Sequence, residues 1–173
     1  MDHNDVLTDM VHRVIDAAEP VLRGIDHGPL HARPADRGSS IAWLVWHAAR
    51  QMDAQLAHLS GREQVWSVGD WASRLGILRG PEAIGFGDTS DDVASLVVAE
   101  PGLLLDYLRA VVDAFVAYAS SLSASDLDVV IDTHWDPPVT RGVRLVSLID
   151  DAVAHVGQAA YARGLVEGWS VGY

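Results

Sequence analysis

The stretch from Ile41 to Ala49 limits the fold most, because it is apolar on nearly every side of the helix that it predicts. A helix of this kind must be surrounded by other elements rather than lie on a surface. Ser39 and Ser40 are suitable N-cap residues before it, and Gly61 is a suitable stop after it. The sequence therefore predicts a central helix that runs to about Leu59.

Three further stretches have apolar residues at spacings of three and four, which is typical of amphipathic helices. They cover residues 3–23, a segment that begins near Pro101 and ends before Ser120, and residues 144–167, which Gly168 follows. Strand signals are weak, and although Val129–Asp132 could be extended, no sheet is expected. The prediction is an all-α fold, a four-helix bundle in a single domain over residues 1–173.

The connection between the second and third long helices, residues 62–98, is rich in glycine and carries Trp66, Trp71 and Phe86. A short helix is expected near Trp71–Leu75, and Thr89 resembles another helix start. Long irregular segments in compact domains are uncommon and often line a site. This segment is either a pocket wall or lid, or an ordinary connection whose tryptophans pack on the bundle.

Composition excludes several classes of function. The formal net charge of −12 disfavours nucleic acids and anionic membrane surfaces as partners. With no cysteine and no lysine, the chain has no thiol nucleophile and cannot form a lysine Schiff base. The N-terminus does not resemble a secretory signal, and no apolar run is long enough for a membrane span, so a cytoplasmic protein is expected.

Asp151 and His155 lie four residues apart in the last helix and therefore on the same face. A carboxylate and an imidazole at this spacing can bind one divalent ion if a third ligand comes from elsewhere. His47, in the middle of the central helix, is the candidate. The alternative is an ordinary ion pair on the last helix and an unrelated buried histidine.

Three separated blocks of the sequence resemble the DinB-like superfamily, which includes the metal-binding domain of mycothiol-dependent maleylpyruvate isomerase and related thiol transferases. The blocks are Trp43-Leu-Val-Trp-His47-Ala-Ala-Arg50-Gln-Met-Asp53, then Gly61-Arg-Glu-Gln-Val-Trp66, then Asp151-x3-His155-x-Gly157-Gln158-x2-Tyr161-x-Arg163-Gly164. The resemblance implies a DinB-like four-helix bundle with His47, Asp151 and His155 as metal ligands. Many members have histidine where this chain has Asp151, and the isomerase has glutamate, which leaves the identity of the metal open.

With two imidazoles and one carboxylate, the expected ion is zinc, and nickel and iron suit the same ligands. Arg50, one turn from His47, could bind an anionic group of a substrate, or could instead pair with Asp53 or Asp151. Gln158 could orient water. We take Arg50 and Gln158 as candidate catalytic residues, and Trp43, Arg50 and Tyr161 as candidate cofactor-binding residues.

The function that the resemblance implies is metal-dependent transfer of a small thiol, of the mycothiol type found in actinobacteria, to a small electrophile. The partners would be the thiol and the electrophile. The isomerase has a second domain for which the sequence up to Tyr173 shows no counterpart, so isomerase activity itself is not expected from the resemblance. The alternatives are a metal-dependent hydrolase and a non-catalytic bundle that binds a metal or small ligand, and the tryptophan content makes a homodimer conceivable.

Overall fold

A computed structural model describes residues 1–172, which are mostly helical. Four long helices form the bundle, and short helices lie in the connections between them. In chain order the helices are α1 (His3–Leu22), α2 (His27–His31), α3 (Ile41–Ser60), α4 (Val65–Val68), α5 (Trp71–Leu75), α6 (Ser90–Ser95), α7 (Pro101–Ala119), α8 (Ala124–Leu127) and α9 (Arg141–Glu167), with a short 3-10 turn at Pro34–Asp36. The predicted all-α four-helix bundle is confirmed; Tyr173, the last residue of the predicted domain, lies outside the described residues.

Local capping explains where α3 begins and ends. The Ser40 side chain accepts a hydrogen bond from the N–H of Trp43, which satisfies one free donor of the first turn. Gly61 ends the helix with φ +68°, a left-handed conformation that glycine adopts without strain. Every residue from Ser40 to Asp53 is buried. This confirms the central helix that the apolar stretch from Ile41 to Ala49 predicts.

Helix α3 packs against α7 and α9, and α1 packs against the same two helices. The core between them is made mainly of aliphatic side chains, and Trp46, Tyr107 and Phe115 are the aromatic members that are completely buried. Residues Gln51 and Leu148 join α3 to α9 through a hydrogen bond from the Gln51 amide to the Leu148 carbonyl, at 3.1 Å. This contact fixes the register that brings the first half of α3 opposite the middle of α9.

Two sequence expectations about the region before α9 are wrong. Val130–Asp132 pairs antiparallel with Val139–Thr140, so a small two-stranded sheet does form, built from β-branched residues on both sides of the loop. The last helix begins at Arg141 rather than near Arg144, because the Thr140 hydroxyl caps it by accepting from the N–H of Val143.

Arg163, for which the sequence indicated no role, holds the end of α1. Its guanidinium donates to the carbonyl oxygens of Pro20, Val21 and Arg23 at 2.9–3.1 Å, and it also pairs with Glu167. These carbonyls come at or just beyond the C-terminus of α1, where the helix leaves acceptors unsatisfied. Helix α1 therefore continues through Pro20 to Leu22 with its end bound to α9.

None of the helices formed by residues 1–172 combines the length and the apolar character that a bilayer-spanning segment needs.

His31 makes the stability of the fold depend on pH. Its Nδ1 lies 2.8 Å from the carbonyl oxygen of His27, and its Nε2 accepts a hydrogen bond from the N–H of Val98 at 3.0 Å, which only the neutral ring can do. Burial lowers the pKa of His31 below the usual value. A lowered folded-state pKa stabilises the protein above the unfolded pKa of about 6.5, and this stabilisation is lost as the pH falls below it.

We therefore expect the free energy of unfolding in urea to fall between pH 7.5 and pH 5, and the fall to be smaller in a His31→Gln variant. Glutamine keeps a neutral acceptor in this pH range. An identical decrease in wild type and variant would contradict this role of His31.

Candidate metal centre

Three side chains that could hold one metal ion converge between α3 and α9. The ligand atoms of His47, Asp151 and His155 all lie within 4.8 Å of one another. His155 Nε2 is 3.4 Å from Asp151 Oδ1, and the rings of His47 and His155 are 4.5 Å apart between centroids. Three atoms that bind one zinc ion at about 2.0–2.2 Å lie closer to one another than 4.8 Å, so the side chains would move slightly toward each other to bind it.

Hydrogen bonds made by the Nδ1 atoms orient both imidazole rings. The His47 Nδ1 donates to the carbonyl oxygen of Ile84, and the His155 Nδ1 donates to Gln158 Oε1 at 3.0 Å. A backbone carbonyl oxygen can only accept, so the neutral His47 ring carries its proton on Nδ1 and its Nε2 lone pair is free. The Gln158 amide gives His155 the same tautomer when its Oε1 faces the ring, as it does here. This arrangement of an outer acceptor and a free inner nitrogen is common for metal-binding histidines.

Electrostatics favour the neutral form of His47, which is the form that binds metals. His47 is 8% exposed, and this burial lowers the pKa of its imidazole. The hydrogen bond with the Ile84 carbonyl raises the pKa and so opposes part of this effect. Asp151, whose side chain is 47% exposed, supplies the negative charge at the open side of the group. A ligand set of two neutral imidazoles and one carboxylate carries a single negative charge toward a divalent cation.

The wall of the centre comes from Trp43. Its ring stacks on His47 at 4.7 Å with an interplanar angle of 16° and meets His155 edge-on at 6.4 Å. The Trp43 Nε1 donates to Asp88 at 2.8 Å, and Asp88 also pairs with Arg79. The predicted cofactor-binding Trp43 thus lies beside the triad, held by the connection for which the sequence left two alternatives, a pocket wall or lid and an ordinary connection.

Residues 81–88 cover His47, and α3 holds them in place. Besides the bonds from Trp43 and His47, the Arg50 guanidinium donates to the carbonyl oxygens of Pro81 and Ala83. Gly85 lies directly against the imidazole of His47: a Cβ at this position would be 2.7 Å from His47 Nδ1 and 3.0 Å from the Trp43 ring. The sequence did not indicate a role for Ile84 or Gly85. The glycines at 85 and 87 were the one feature that could have indicated a close approach of the backbone here.

Arg50 is fully buried and uses all five of its N–H groups on the protein. Besides the two loop carbonyls, it donates to Asp53, Tyr107 and Gln64 at 2.9–3.1 Å. The alternative of an ion pair with Asp53 is therefore confirmed, and no donor remains for an anionic substrate. Arg50 acts through the loop that covers His47 rather than on a bound molecule.

Gln158 lies at the margin of the centre, exposed, and contacts it only through the bond to His155. Tyr161 is 71% exposed and comes six residues after His155, which turns it by about 120° around the helix. The structure therefore brings Gln158 to the triad as an orienting residue and does not bring Tyr161 there.

Comparison with known proteins supports this description of the fold and centre. The family model of the DinB superfamily matches residues 10–159, which include all three candidate ligands. The chain belongs to the DinB superfamily. A DinB-superfamily bundle with a His/Asp/His group at this place could hold a metal ion.

A solved structure extends the similarity to the whole chain. The crystal structure of a conserved protein from Enterococcus faecalis is 37% identical, with a TM-score of 0.90, and the match covers 98% of this chain and 99% of the other. Its description names no activity. No protein of curated function matches this DinB-superfamily sequence significantly.

Replacing Gly85 by alanine should destabilise the fold and loosen the metal centre. Gly85 has φ +91°, and an added methyl group would press on His47, Trp43 and Trp46 at 2.7–3.1 Å. We expect a loss of about 1–3 kcal/mol in the free energy of unfolding and weaker zinc binding. Urea denaturation and zinc titration would measure the two effects.

Gly87 provides the matched control, because it also has a positive φ, +81°, but nothing lies within 4 Å of an added Cβ. Gly87→Ala carries the conformational penalty without the contact. Equal zinc affinity in the two variants would show that Gly85 does not position His47.

Proposed function

We propose that this protein is a metal-dependent transferase that joins a low-molecular-weight thiol, of the mycothiol type, to a small electrophile. One observation carries the proposal: His47, Asp151 and His155 offer three ligands, and the chain has no cysteine that could act as nucleophile. Three protein ligands leave further positions open for a small molecule, as in catalytic rather than structural zinc sites. We take zinc as the ion, with nickel and iron as alternatives that metal analysis distinguishes.

The residues present fit such an ion, because both Nε2 lone pairs and a carboxylate oxygen are directed into one small volume. A zinc ion bound there would supply Lewis acidity that lowers the pKa of a bound thiol toward neutrality. In the reaction, the thiol loses its proton to solvent, and its sulfur forms a bond to carbon of the electrophile as the leaving group departs with its electron pair.

The chain's own residues have distinct tasks in this reaction. His47 and His155 hold the ion, with Ile84 and Gln158 orienting their rings. Trp43 and Gly85 close the inner side of the centre against His47. Asp151 marks the open side, where thiol and electrophile would approach. Arg50 and Gln158 position other groups, and neither is assigned a contact with the substrate.

The test is a conjugation assay with zinc-loaded protein, mycothiol and monochlorobimane, a small chloride-bearing electrophile. We expect fluorescent conjugate to form faster than in the buffer control, and His155→Ala to reduce the rate to that of the buffer. The exposed His12 lies on α1 and is not a member of the triad, so His12→Ala should retain the full rate.

Rates equal to buffer with mycothiol, bacillithiol and glutathione would refute thiol transfer. Turnover of an ester or amide without thiol would replace it with hydrolysis, which uses water at the same open position. The cytoplasm, where small thiols stay reduced, is the location that this chemistry requires.

A further inference from the structure

A polar cleft lies between α3 and α9, at the opposite end of their contact from the metal centre. Its volume is about 480 Å³, within the range of small-molecule sites. The end of α3, the strand Val130–Asp132 with the loop after it, and the first turn of α9 form its walls. The lining residues are His58, Leu59, Val130, Ile131, Asp132, Thr133, His134, Arg141 and Arg144.

This cleft is separate from the metal centre. His58 lies eleven residues after His47 on α3, and Arg144 lies eleven residues before His155 on α9, which is about 16 Å along each helix. Between the two sites the helices are joined by the Gln51–Leu148 hydrogen bond, and Gln51 is only 3% exposed. A small ligand in one site therefore does not reach the other.

The two arginines of the cleft have unused donors. Arg141 makes one side-chain hydrogen bond to the protein, to the Asp126 carbonyl at 3.0 Å, and its Nε is buried without a partner. Arg144 makes one, to Asp132 at 3.3 Å. Both side chains are largely buried, at 21% and 25% exposed, whereas the buried Arg50 uses all of its donors.

Charge in the lining favours an anion. The lining of the cleft contains two arginines and one carboxylate, that of Asp132; the Asp126 carboxylate, outside the lining, lies 3.8 Å from the Arg141 guanidinium, beyond hydrogen-bond distance. The Asp132 carboxylate is shared between Arg144 and His134, so it does not saturate the donors of Arg144. Guanidinium groups with free, parallel N–H donors bind carboxylate and phosphate oxygens in two-point contacts.

We propose that this cleft binds the oxyanion of a small molecule, either a phosphate or a carboxylate group, with Arg141 and Arg144 as the main contacts. The Thr133 hydroxyl and the His58 imidazole are the further polar groups of the lining that could complete the contact. The inference is independent of the proposed thiol transfer, because it uses none of the residues of the metal centre.

Calorimetric titration of the full chain with methyl phosphate and with acetate, at constant ionic strength and in chelator, tests the proposal. Saturable binding of either anion is expected, and the tighter of the two identifies the kind of ligand group. Chelator keeps metal at the other site from binding the anion, so failure here would leave the proposed transferase activity untouched.

Variants decide whether the binding belongs to the cleft. Arg144→Gln and Arg141→Gln should each weaken binding at least about tenfold, as expected for loss of a charged two-point contact. Arg37→Gln, an exposed arginine outside the lining, should leave it unchanged. Asp132→Asn removes the only carboxylate of the lining and should tighten binding about fivefold.

Absence of saturable binding with both anions would overturn the proposal. So would equal affinity in wild type, Arg144→Gln and Arg37→Gln, which would indicate binding to surface charge in general. Poor folding of the arginine variants could also weaken binding, but it could not produce the tighter anion binding that is expected for Asp132→Asn.

Discussion

Zinc binding should be lost when His155 is replaced by alanine, with an increase in the dissociation constant of more than about 100-fold. Removing an outer residue that only orients a ligand weakens metal binding by about 10–100-fold, and the loss of a ligand itself should exceed that range. The His155 ring is one of the three groups within 4.8 Å of one another, and its Nε2 is free to bind. Competition titration with a chromophoric chelator would measure the change.

Two further variants give zinc affinities with which that of His155→Ala can be compared. Gln158→Leu removes the acceptor that orients the His155 ring and should weaken zinc binding by about tenfold. His12→Ala, on the exposed side of α1, should leave zinc affinity unchanged. If His155→Ala and His12→Ala bind zinc equally well, the ion is held elsewhere.

The second large effect is expected from Asp53→Ala, which should reduce the free energy of unfolding by about 3–5 kcal/mol. Asp53 is 1% exposed and accepts hydrogen bonds from Arg50, Tyr107 and the backbone N–H groups of Val65 and Trp66. Its removal leaves the Arg50 guanidinium charged, buried and without a counter-ion. Urea denaturation followed by circular dichroism would measure the loss.

The exposed ion pair between Arg13 and Asp9 supplies the matched control. At 2.8 Å it is shorter than the buried Arg50–Asp53 pair at 3.1 Å, but both side chains are about half exposed or more, so Asp9→Ala should cost no more than about 1 kcal/mol. Tyr107→Phe, which removes one hydroxyl from the network, should lie between the two at about 1–2 kcal/mol. Similar losses in Asp53→Ala and Asp9→Ala would contradict a structural role for the buried pair.

The network around Asp53 also explains why two of the sequence blocks that resemble the DinB superfamily belong together. Asp53 closes the first block, and its carboxylate binds the N–H groups at the end of the second, at Val65 and Trp66. Burial raises the pKa of Tyr107 well above its usual value, so this hydroxyl stays protonated and donates to Asp53. The blocks thus describe a scaffold that holds the loop over His47.

Sequence patterns predicted the features that depend on nearby residues. Ser40 and Gly61 define the central helix, and Trp71–Leu75 and Pro101 were predicted where α5 and α7 lie. Capping hydroxyls, left-handed glycines and proline at a first helical turn act within a few residues, so they can be identified without a fold. The start of α9 was predicted three residues too late because the cap at Thr140 was not identified.

Features that depend on distant residues were harder to predict. The ion-pair partner of Arg50 was one of two alternatives, but its four contacts outside α3, with Gln64, Pro81, Ala83 and Tyr107, required the fold. The contact of Gly85 with His47 and the capping of α1 by Arg163 join residues 38 and more than 140 positions apart. His47 was the candidate third ligand for Asp151 and His155 from its place in the central helix, and the family resemblance strengthened this prediction; the convergence of the three side chains within 4.8 Å required the fold.

Anomalous X-ray diffraction from crystals grown with zinc, recorded on both sides of the zinc absorption edge, tests the metal centre most directly. The result that we predict is one strong anomalous peak about 2.0–2.2 Å from the Nε2 atoms of His47 and His155 and from a carboxylate oxygen of Asp151. A map without a peak between these side chains, or with zinc bound only by other groups, would contradict the assignment.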